Sequence, residues 1–310
     1  MRRPLAPELP HIAKGANETA LPGYGRVVHP IEHLRYVARA HSVDASALVE
    51  ETAHALGSLH LDPAGLIVAC RRIVERHPFS APMWWLCSNV LTSAEPFAAV
   101  WDLARAMRDD ATGSVLAQTL PEPSVAQLLD SNGEQVVDVM TIGDPMLVGA
   151  ALARRADVRV LALDVDHSAT SFVRRLEPYG VEYEPVDAGV AGVAVRSTAA
   201  VLVEALALDG ERAVVPSGSS TIAGLGAAFD VPVWLVAGVG RRLPSEYLDA
   251  MVQRHAELVD GVDPWSVDVE ILPTSLLTHV VGPHGRAPVG PPAVQPECPL
   301  AAELLHRPPM

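Results

Sequence analysis

The stretch at 213–243 constrains the fold more than any other part of the chain. It begins with a short apolar run, passes through a small-residue turn at 217–220 into a helical segment, and returns to an apolar run at 233–236. A second glycine turn, which carries two arginines, follows at 238–242. Strand, turn and helix in this order are typical of a parallel sheet, and backbone N–H groups at such turns bind anions. The stretch therefore predicts a parallel-sheet domain that holds a phosphorylated ligand.

The same alternation extends through the C-terminal half. Short apolar runs rich in β-branched residues lie at 136–140, 158–163, 181–185, 200–203, 213–215 and 233–236. Because most of them alternate with helical segments, they indicate a parallel sheet that is covered on both faces. The spacing is helical before that, and Asp62-Pro63 and His77-Pro78 mark the start and the end of one helix. The predicted fold class is α/β, with an N-terminal helical bundle followed by a Rossmann-like parallel-sheet domain.

The expected organisation has four parts. They are a flexible leader at 1–29, a helical domain at 30–112, a Rossmann-like domain at 113–282 and a Pro-rich tail at 283–310. The leader and the tail are rich in proline and lack a convincing apolar period, so both are expected to be weakly ordered.

Charge and cysteine content limit the partners. The net charge is −14, from 23 basic and 37 acidic residues, and a chain without a basic excess is a poor general binder of DNA or RNA. The cysteines at 70, 87 and 298 lie far apart and show no metal-type spacing. No apolar run has the length of a membrane span, and the first residues lack the apolar core of a signal peptide. We expect a cytoplasmic protein with no metal, no cofactor, and no direct contact with nucleic acid or membrane.

Ligands of open parallel sheets bind beyond the carboxyl ends of the strands, which selects a set of loops. The candidate ligand-binding residues on these loops are Gly143, Asp144, Asp164, Asp166, His167, Asp187, Ser217, Gly218, Ser219, Ser220 and Arg241. No residue is assigned as catalytic. The serines lack the Gly-x-Ser-x-Gly phase of a serine hydrolase, and 238–240 lacks the dinucleotide-binding fingerprint.

Each candidate also has a purely structural interpretation. Asp144 and Asp166 each precede a helix and are suited to capping it, and the serine turn is small enough to be only a tight connection. An arginine pair on a glycine turn is commonly just solvated. Both interpretations stay open for these residues.

Several segments between 136 and 282 are similar to one family. Val139-Met140-Thr141, Leu163-Asp164, the run at 186–189, and the run from Gly218-Ser219 to Val233 match in order. They resemble the alpha, beta and delta subunits of translation initiation factor 2B, whose family includes the methylthioribose-1-phosphate and ribose-1,5-bisphosphate isomerases. The run at 269–273, together with 277–281, resembles the family's closing strand pair, and 77–84 resembles its proline-containing helix start. The resemblance implies dimers formed through the C-terminal domain.

The isomerases of this family use one cysteine and one aspartate, and this chain departs from that pattern. The resemblance places Gly143 at the cysteine position and Leu206 at the aspartate position. A family arginine corresponds to Val43, and a family lysine corresponds to Pro216. Because no replacement offers an equivalent group, aldose–ketose isomerisation by the family mechanism is not expected.

Three classes of function follow. The favoured one is a non-catalytic or regulatory relative with a sugar-phosphate or nucleotide pocket, forming a homodimer or hetero-oligomer through its C-terminal domain. The second is a sugar-phosphate isomerase or related enzyme with a re-equipped site, in which Asp144, Asp164, Asp166 or His167 serves as acid or base. The third is a structural partner that uses its acidic surface in a hetero-oligomer.

Overall fold

The N-terminal part of the protein is helical in the computed structural model, which describes residues 45–58, 62–123, 135–165, 168–261 and 267–306. Its helices are α1 (Ala45–Ser58), α2 (Pro63–Arg76), α3 (Ala81–Thr92), α4 (Pro96–Arg108) and α5 (Thr112–Thr119). The predicted start of α2 is confirmed, because Asp62 Oδ1 accepts the N–H of Gly65 at 2.7 Å and Pro63 takes the first helical position. Its predicted end is also confirmed, with His77 as C-cap.

The main sheet of the described residues has seven strands. They are β1 (Val137–Ile142), β2 (Val158–Leu163), β3 (Glu182–Val186), β4 (Ala200–Glu204), β7 (Val233–Val236), β9 (His279–Gly282) and β10 (Gly285–Pro288). The strand order is β10-β9-β7-β4-β1-β2-β3, and every neighbouring pair is parallel except β9 and β10. The carboxyl ends of β1, β2, β3, β4, β7 and β9 therefore lie at one edge.

Helices cover both faces of this sheet. The covering helices are α5, α6 (Met146–Leu152), α7 (Ser168–Leu176), α8 (Ala191–Ser197) and α9 (Ser219–Ala228). Leu116, Leu152 and Phe172 from α5, α6 and α7 are buried on one face, and Val195 and Ile222 from α8 and α9 are buried on the other. Burial from both sides explains why the strands read as continuous apolar runs. The predicted fold class, a helical N-terminal part followed by a Rossmann-like α/β sheet, is confirmed.

A second sheet has three antiparallel strands. They are, in spatial order, β5 (Ala207–Leu208), β6 (Arg212–Pro216) and β8 (Val269–Pro273). This arrangement corrects the prediction that the run at 213–215 belongs to the parallel sheet. The reason is a tight turn at Asp209, whose carboxylate accepts the N–H of Arg212 at 2.7 Å and folds β6 back on β5.

The runs at 269–273 and 277–281, which resemble a closing strand pair, both give strands, but these strands do not pair with each other. The first run forms β8 and pairs with β6, whereas β9 pairs with β7 in the main sheet. A short 3₁₀ turn at Thr274–Leu276 separates the two strands and sends them to different sheets. Apolar runs indicate that a strand is buried, but they do not identify its partner.

The segment at 283–306 is not the weakly ordered tail that its prolines suggest. Residues 285–288 form β10, and Val294, Cys298 and Leu304 are buried. The segment is also tied to helix α10 (Ser245–Gly261), because the Tyr247 hydroxyl accepts the N–H of Ala301 at 2.7 Å. Proline removes helical periodicity without preventing burial, which is why the sequence pattern was misleading here.

Candidate functional site

Two glycine turns meet at the carboxyl edge of the main sheet. Gly143 follows β1 with φ +73°, and Gly218 follows β6 with φ +91°. A Cβ at Gly218 would lie 2.7 Å from Ile142 Cδ1, and a Cβ at Gly143 would lie 3.9 Å from Pro216 Cβ. The positive φ values favour glycine at both positions. The fold thus brings these two predicted site residues together, although β6 belongs to the other sheet.

The hydroxyl groups of Ser217 and Ser219 in the serine turn are bonded to backbone carbonyls of this chain. Ser217 Oγ donates to the Val267 carbonyl at 2.5 Å, and Ser219 Oγ donates to the Pro216 carbonyl at 2.6 Å. The backbone N–H of Ser220, at the start of α9, donates to Glu270 Oε1 at 2.6 Å. These bonds support the interpretation of this turn as a compact connection, with a carboxylate at the position predicted for a phosphate.

Asp144 does not cap the helix that follows it. Helix α6 begins at Met146, its N-cap is Pro145, and no side chain caps it. Asp144 instead forms an ion pair with Arg175 of α7 at 2.5 Å, and Arg175 also donates to the Pro145 carbonyl at 2.9 Å. The predicted cap is therefore wrong, because the proline occupies the N-cap position itself.

The strongest polar feature of this edge is a residue that the sequence analysis missed. Glu204 is the last residue of β4, and its Oε2 accepts the N–H groups of Leu147 at 2.7 Å and Val148 at 3.3 Å. Its Oε1 accepts a bond from Arg241 at 3.1 Å. Burial raises the pKa of the Glu204 carboxyl, and the charge of Arg241 opposes this rise. An acidic residue at the end of an otherwise apolar strand was the signal available in the sequence.

Arg241 is consequently not an exposed phosphate ligand. Its side chain is only 10% exposed, and it donates to the Ala205 carbonyl as well as to Glu204. An arginine after a glycine turn can face solvent or the interior. Arg241 faces the interior because it pairs with the buried carboxylate of Glu204. The expectation of a solvent-facing, phosphate-binding Arg241 is corrected by this burial.

The turn at 238–242 is occupied by side chains from distant parts of the chain. Val239 N–H donates to Asp110 Oδ2 at 3.0 Å, and Gly240 N–H donates to Glu297 Oε2 at 2.5 Å. A Cβ at Gly240 would lie 3.0 Å from the Trp85 ring, so glycine also permits a close approach of α3. This turn joins the sheet to the helical core and to the C-terminal segment.

Asp164 and Asp187 follow the neighbouring parallel strands β2 and β3 at the same edge. Asp187 accepts the N–H of Gly189 at 2.7 Å and caps a 3₁₀ turn next to β3. Asp164 follows β2, and its N–H donates to the Val186 carbonyl at 3.0 Å. Asp166 and His167 lie outside the described residues, as does Val43.

A depression of about 780 Å³ opens at the opposite end of the sheet. Its lining includes Gln118 of α5, Gln135, Arg155 and Asp157. Arg155 and Asp157 are paired with each other at 2.6 Å. The depression therefore has no connection with the predicted ligand loops, which end the strands at the other edge.

Taken together, the carboxyl edge is rich in backbone N–H groups that already hold carboxylates of this chain. The carboxylates are those of Glu204, Glu270, Glu297, Asp110 and Asp187. Among the described residues, no group of three or more His, Cys, Asp or Glu side chains is placed to hold a metal ion. No helix within the described ranges has the length and apolar character needed to cross a membrane.

Comparison with known proteins gives matches in structure. No family model and no curated protein matches the sequence. The translation initiation factor eIF-2B of Pyrococcus horikoshii OT3 matches with a TM-score of 0.65 and 17% identity, over 86% of this chain and 98% of that one. eIF2B beta from Chaetomium thermophilum matches with a TM-score of 0.61 and 12% identity, over 84% and 88% of the two chains.

A third match is a chain of an oligomeric assembly. The tetrameric eIF2B-beta2-delta2 complex from C. thermophilum has a TM-score of 0.62 and 13% identity to this chain, over 83% of this chain and 90% of that one. The matched regions include both the helical part and the main sheet, since they cover more than four fifths of this chain. The chain has the fold of the initiation factor 2B subunits.

Proposed function

We propose that this protein is a non-catalytic, regulatory protein of the initiation factor 2B type, which acts by association with other subunits. The observation that carries this proposal is the carboxylate of Glu204, which accepts bonds from Leu147, Val148 and Arg241. Backbone amides and an arginine are the groups that would hold a phosphorylated substrate at a strand end. Because an internal carboxylate uses them, the edge is neutralised without a ligand.

The two positions assigned to catalytic residues by the resemblance support the same proposal. Gly143 has φ +73°, a conformation that a cysteine would adopt only with strain. Leu206 is half-buried and packs against the apolar core of the helical part, where it contributes no acid or base. Proton transfer between neighbouring carbons requires a positioned acid–base pair. Neither position supplies one.

An exposed apolar patch supports association through the C-terminal half. Val190 and Val193, one helical turn apart beside and on α8, are 54% and 74% exposed. Phe229, at the end of α9, is 38% exposed and packs beside α8, since a Cβ at Gly192 would lie 3.8 Å from its ring. We call Val190, Val193 and Phe229 the association patch. Exposed apolar side chains that form one patch mark interaction surfaces.

The charges around the association patch suit a second copy of the chain. Arg196 lies over the Phe229 ring at 5.3 Å, and the exposed Asp230 follows directly. In a two-fold symmetric dimer the same surface of both copies forms the interface. The basic group at the margin of one copy can therefore pair with the acidic group of the other copy, and the reverse. The net charge of −14 makes contact elsewhere between copies less favourable. We therefore propose a homodimer, with a hetero-oligomer as the alternative.

The association is tested by sedimentation velocity of the wild type, Val193→Glu and Val68→Glu. Val68 of α2 is 46% exposed and lies in the helical part, so it is a matched control. We expect a dimer for the wild type and the control, and a monomer for Val193→Glu. A monomeric wild type would overturn self-association and direct the search to a protein partner. Equal effects of both substitutions would exclude the patch.

The absence of catalysis is tested separately with ribose-1,5-bisphosphate and methylthioribose-1-phosphate as substrates. We expect no isomerisation above the rate without protein. Turnover that is lost in Asp144→Asn or Asp164→Asn, with folding retained, would instead establish the alternative function, an aldose–ketose isomerase with a re-equipped site. Turnover would therefore overturn the non-catalytic role, whatever the state of association.

A further inference from the structure

The glycine turn at 238–242 already holds one oxyanion, which comes from the C-terminal segment. Glu297 Oε2 accepts the N–H of Gly240 at 2.5 Å, and Glu297 Oε1 accepts a bond from Arg242 Nη1 at 2.5 Å. A carboxylate held by a backbone amide and a guanidinium has the donor set that also binds phosphate. The turn therefore forms an oxyanion site with an internal occupant.

The donors are positioned by contacts that do not involve the side chain of Glu297. Gly240 is held at φ +74°, with the Trp85 ring directly against it. Arg242 Nε donates to the Ala293 carbonyl at 3.0 Å, and its guanidinium packs on Gly282, where a Cβ would overlap it. The side chain of Arg242 is 11% exposed. Removal of the carboxylate would leave both donors in place.

Glu297 differs from Glu204 and Glu270 in the type of segment to which it belongs. Glu204 and Glu270 belong to strands β4 and β8, so neither can leave without disrupting a sheet. Glu297 lies in the irregular segment 289–300, which we call the strap, and its side chain is 22% exposed. Burial raises the pKa of the Glu297 carboxyl, because the charged carboxylate loses part of its hydration in this position.

We propose that the side chain of Glu297 is an autoinhibitory contact, which occupies a phosphate-binding site formed by the Gly240 amide and Arg242. A phosphate group of a small molecule takes the place of the carboxylate when this side chain turns outward, while the rest of the strap stays packed and its Ala293 carbonyl keeps Arg242 in position. This site lies at the same edge as Glu204 but uses different donors, and the inference does not rest on the proposed association.

The proposal is tested with the full chain and inorganic phosphate as the probe, by measuring the Tm over a range of phosphate concentrations. Glu297→Ala removes the occupant, and Glu303→Ala removes an exposed carboxylate further along the C-terminal segment as a matched control. Phosphate stabilises most proteins weakly through exclusion from their surface, so the control is needed. We expect a saturable rise of about 5 °C for Glu297→Ala at a hundredfold excess over its Kd. The wild type and Glu303→Ala should show only the weak, non-saturating rise.

Two further variants make the outcome decisive. Glu297→Gln keeps the shape of the side chain and should show a smaller saturable rise than Glu297→Ala. Adding Arg242→Lys to Glu297→Ala should weaken phosphate binding, because lysine cannot make the same planar contact. The proposal is overturned if Glu297→Ala responds like the wild type, or if Arg242→Lys leaves the rise unchanged. It is equally overturned if neither Glu297 variant folds at any phosphate concentration, since the carboxylate would then be structural.

Discussion

Arg241 and Glu204 form an ion pair at 3.1 Å in which both side chains are about nine-tenths buried. The pair joins the end of β4 to the glycine turn after β7, and the same carboxylate holds the first amides of α6. Three elements that meet at the carboxyl edge are thus fixed by one acidic side chain. A buried charge is tolerated here because its partners satisfy it, not because the pair itself contributes a large net stability.

Removing one member of this pair should be costly. We expect Glu204→Met to lower the free energy of unfolding by about 3–5 kcal/mol, because Arg241 would be left buried without its carboxylate. Arg241→Met should cost a similar amount for the converse reason. The double variant should cost clearly less than the sum, as measured by urea unfolding in a double-mutant cycle. Additivity within about 0.5 kcal/mol would mean that the two side chains do not interact.

The same pair predicts the pH dependence of stability. Burial raises the pKa of Glu204 above its ordinary value of 4.5, so the folded protein binds this proton more tightly than the unfolded chain. The contribution of this proton to the free energy of unfolding is fully present below pH 4.5. It is lost as the pH rises through the pKa that Glu204 has in the folded protein. Relative to the double variant, the wild type should therefore gain stability from pH 7 down to about pH 4.5. A loss over this range, in urea unfolding, would mean that Arg241 outweighs burial.

The two glycine turns give a prediction about backbone conformation. Gly218→Ala should lower the free energy of unfolding by about 2–4 kcal/mol, because φ is +91° and the new Cβ would overlap Ile142. Gly224→Ala is a control within α9, the helix that Gly218 precedes, and no heavy atom lies within 4 Å of the new Cβ there. This control should be neutral or stabilising by up to about 1 kcal/mol. Equal effects in thermal unfolding would contradict the role assigned to Gly218.

The sequence allowed the main sheet to be predicted because its signal is local. Runs such as 158–163 are apolar and flanked by turns, and burial from both faces makes such runs continuous. Strand partners could not be predicted in the same way. β6 resembles the parallel strands in composition, and only the turn at Asp209 sends it into the second sheet.

The candidate site was predicted less well than the fold, for a related reason. The glycine turns were visible locally, and Gly143 and Gly218 do come together. The groups that occupy the turns come from far along the chain: Glu297 reaches Gly240 from 57 residues away, and Asp110 reaches Val239 from 129 residues away. The spacing of residues in a single sequence cannot reveal contacts between residues so far apart along the chain. Such contacts are recognised from positions that vary together among homologous sequences. The turns therefore suggested a bound anionic ligand, whereas the anions that contact the turn at 238–242 are carboxylates of this chain.

The C-terminal segment gives the last prediction, through the hydroxyl of Tyr247. This hydroxyl accepts the N–H of Ala301 at 2.7 Å and lies 2.9 Å from Ser88 Oγ of α3, so it ties the segment to the helical core. Burial raises the pKa of Tyr247 to about 12, which keeps the hydroxyl protonated at every ordinary pH. Tyr247→Phe should lower the free energy of unfolding by about 1–3 kcal/mol, because it leaves buried polar partners without a bond.

The control is Tyr179→Phe, at a residue that is 60% exposed, and its free energy of unfolding should stay within about 0.5 kcal/mol of the wild type. Hydrogen exchange of the Ala301 amide distinguishes the mechanism: it should accelerate in Tyr247→Phe by more than the global loss of stability explains. Unchanged relative protection there would show that apolar packing alone holds the segment.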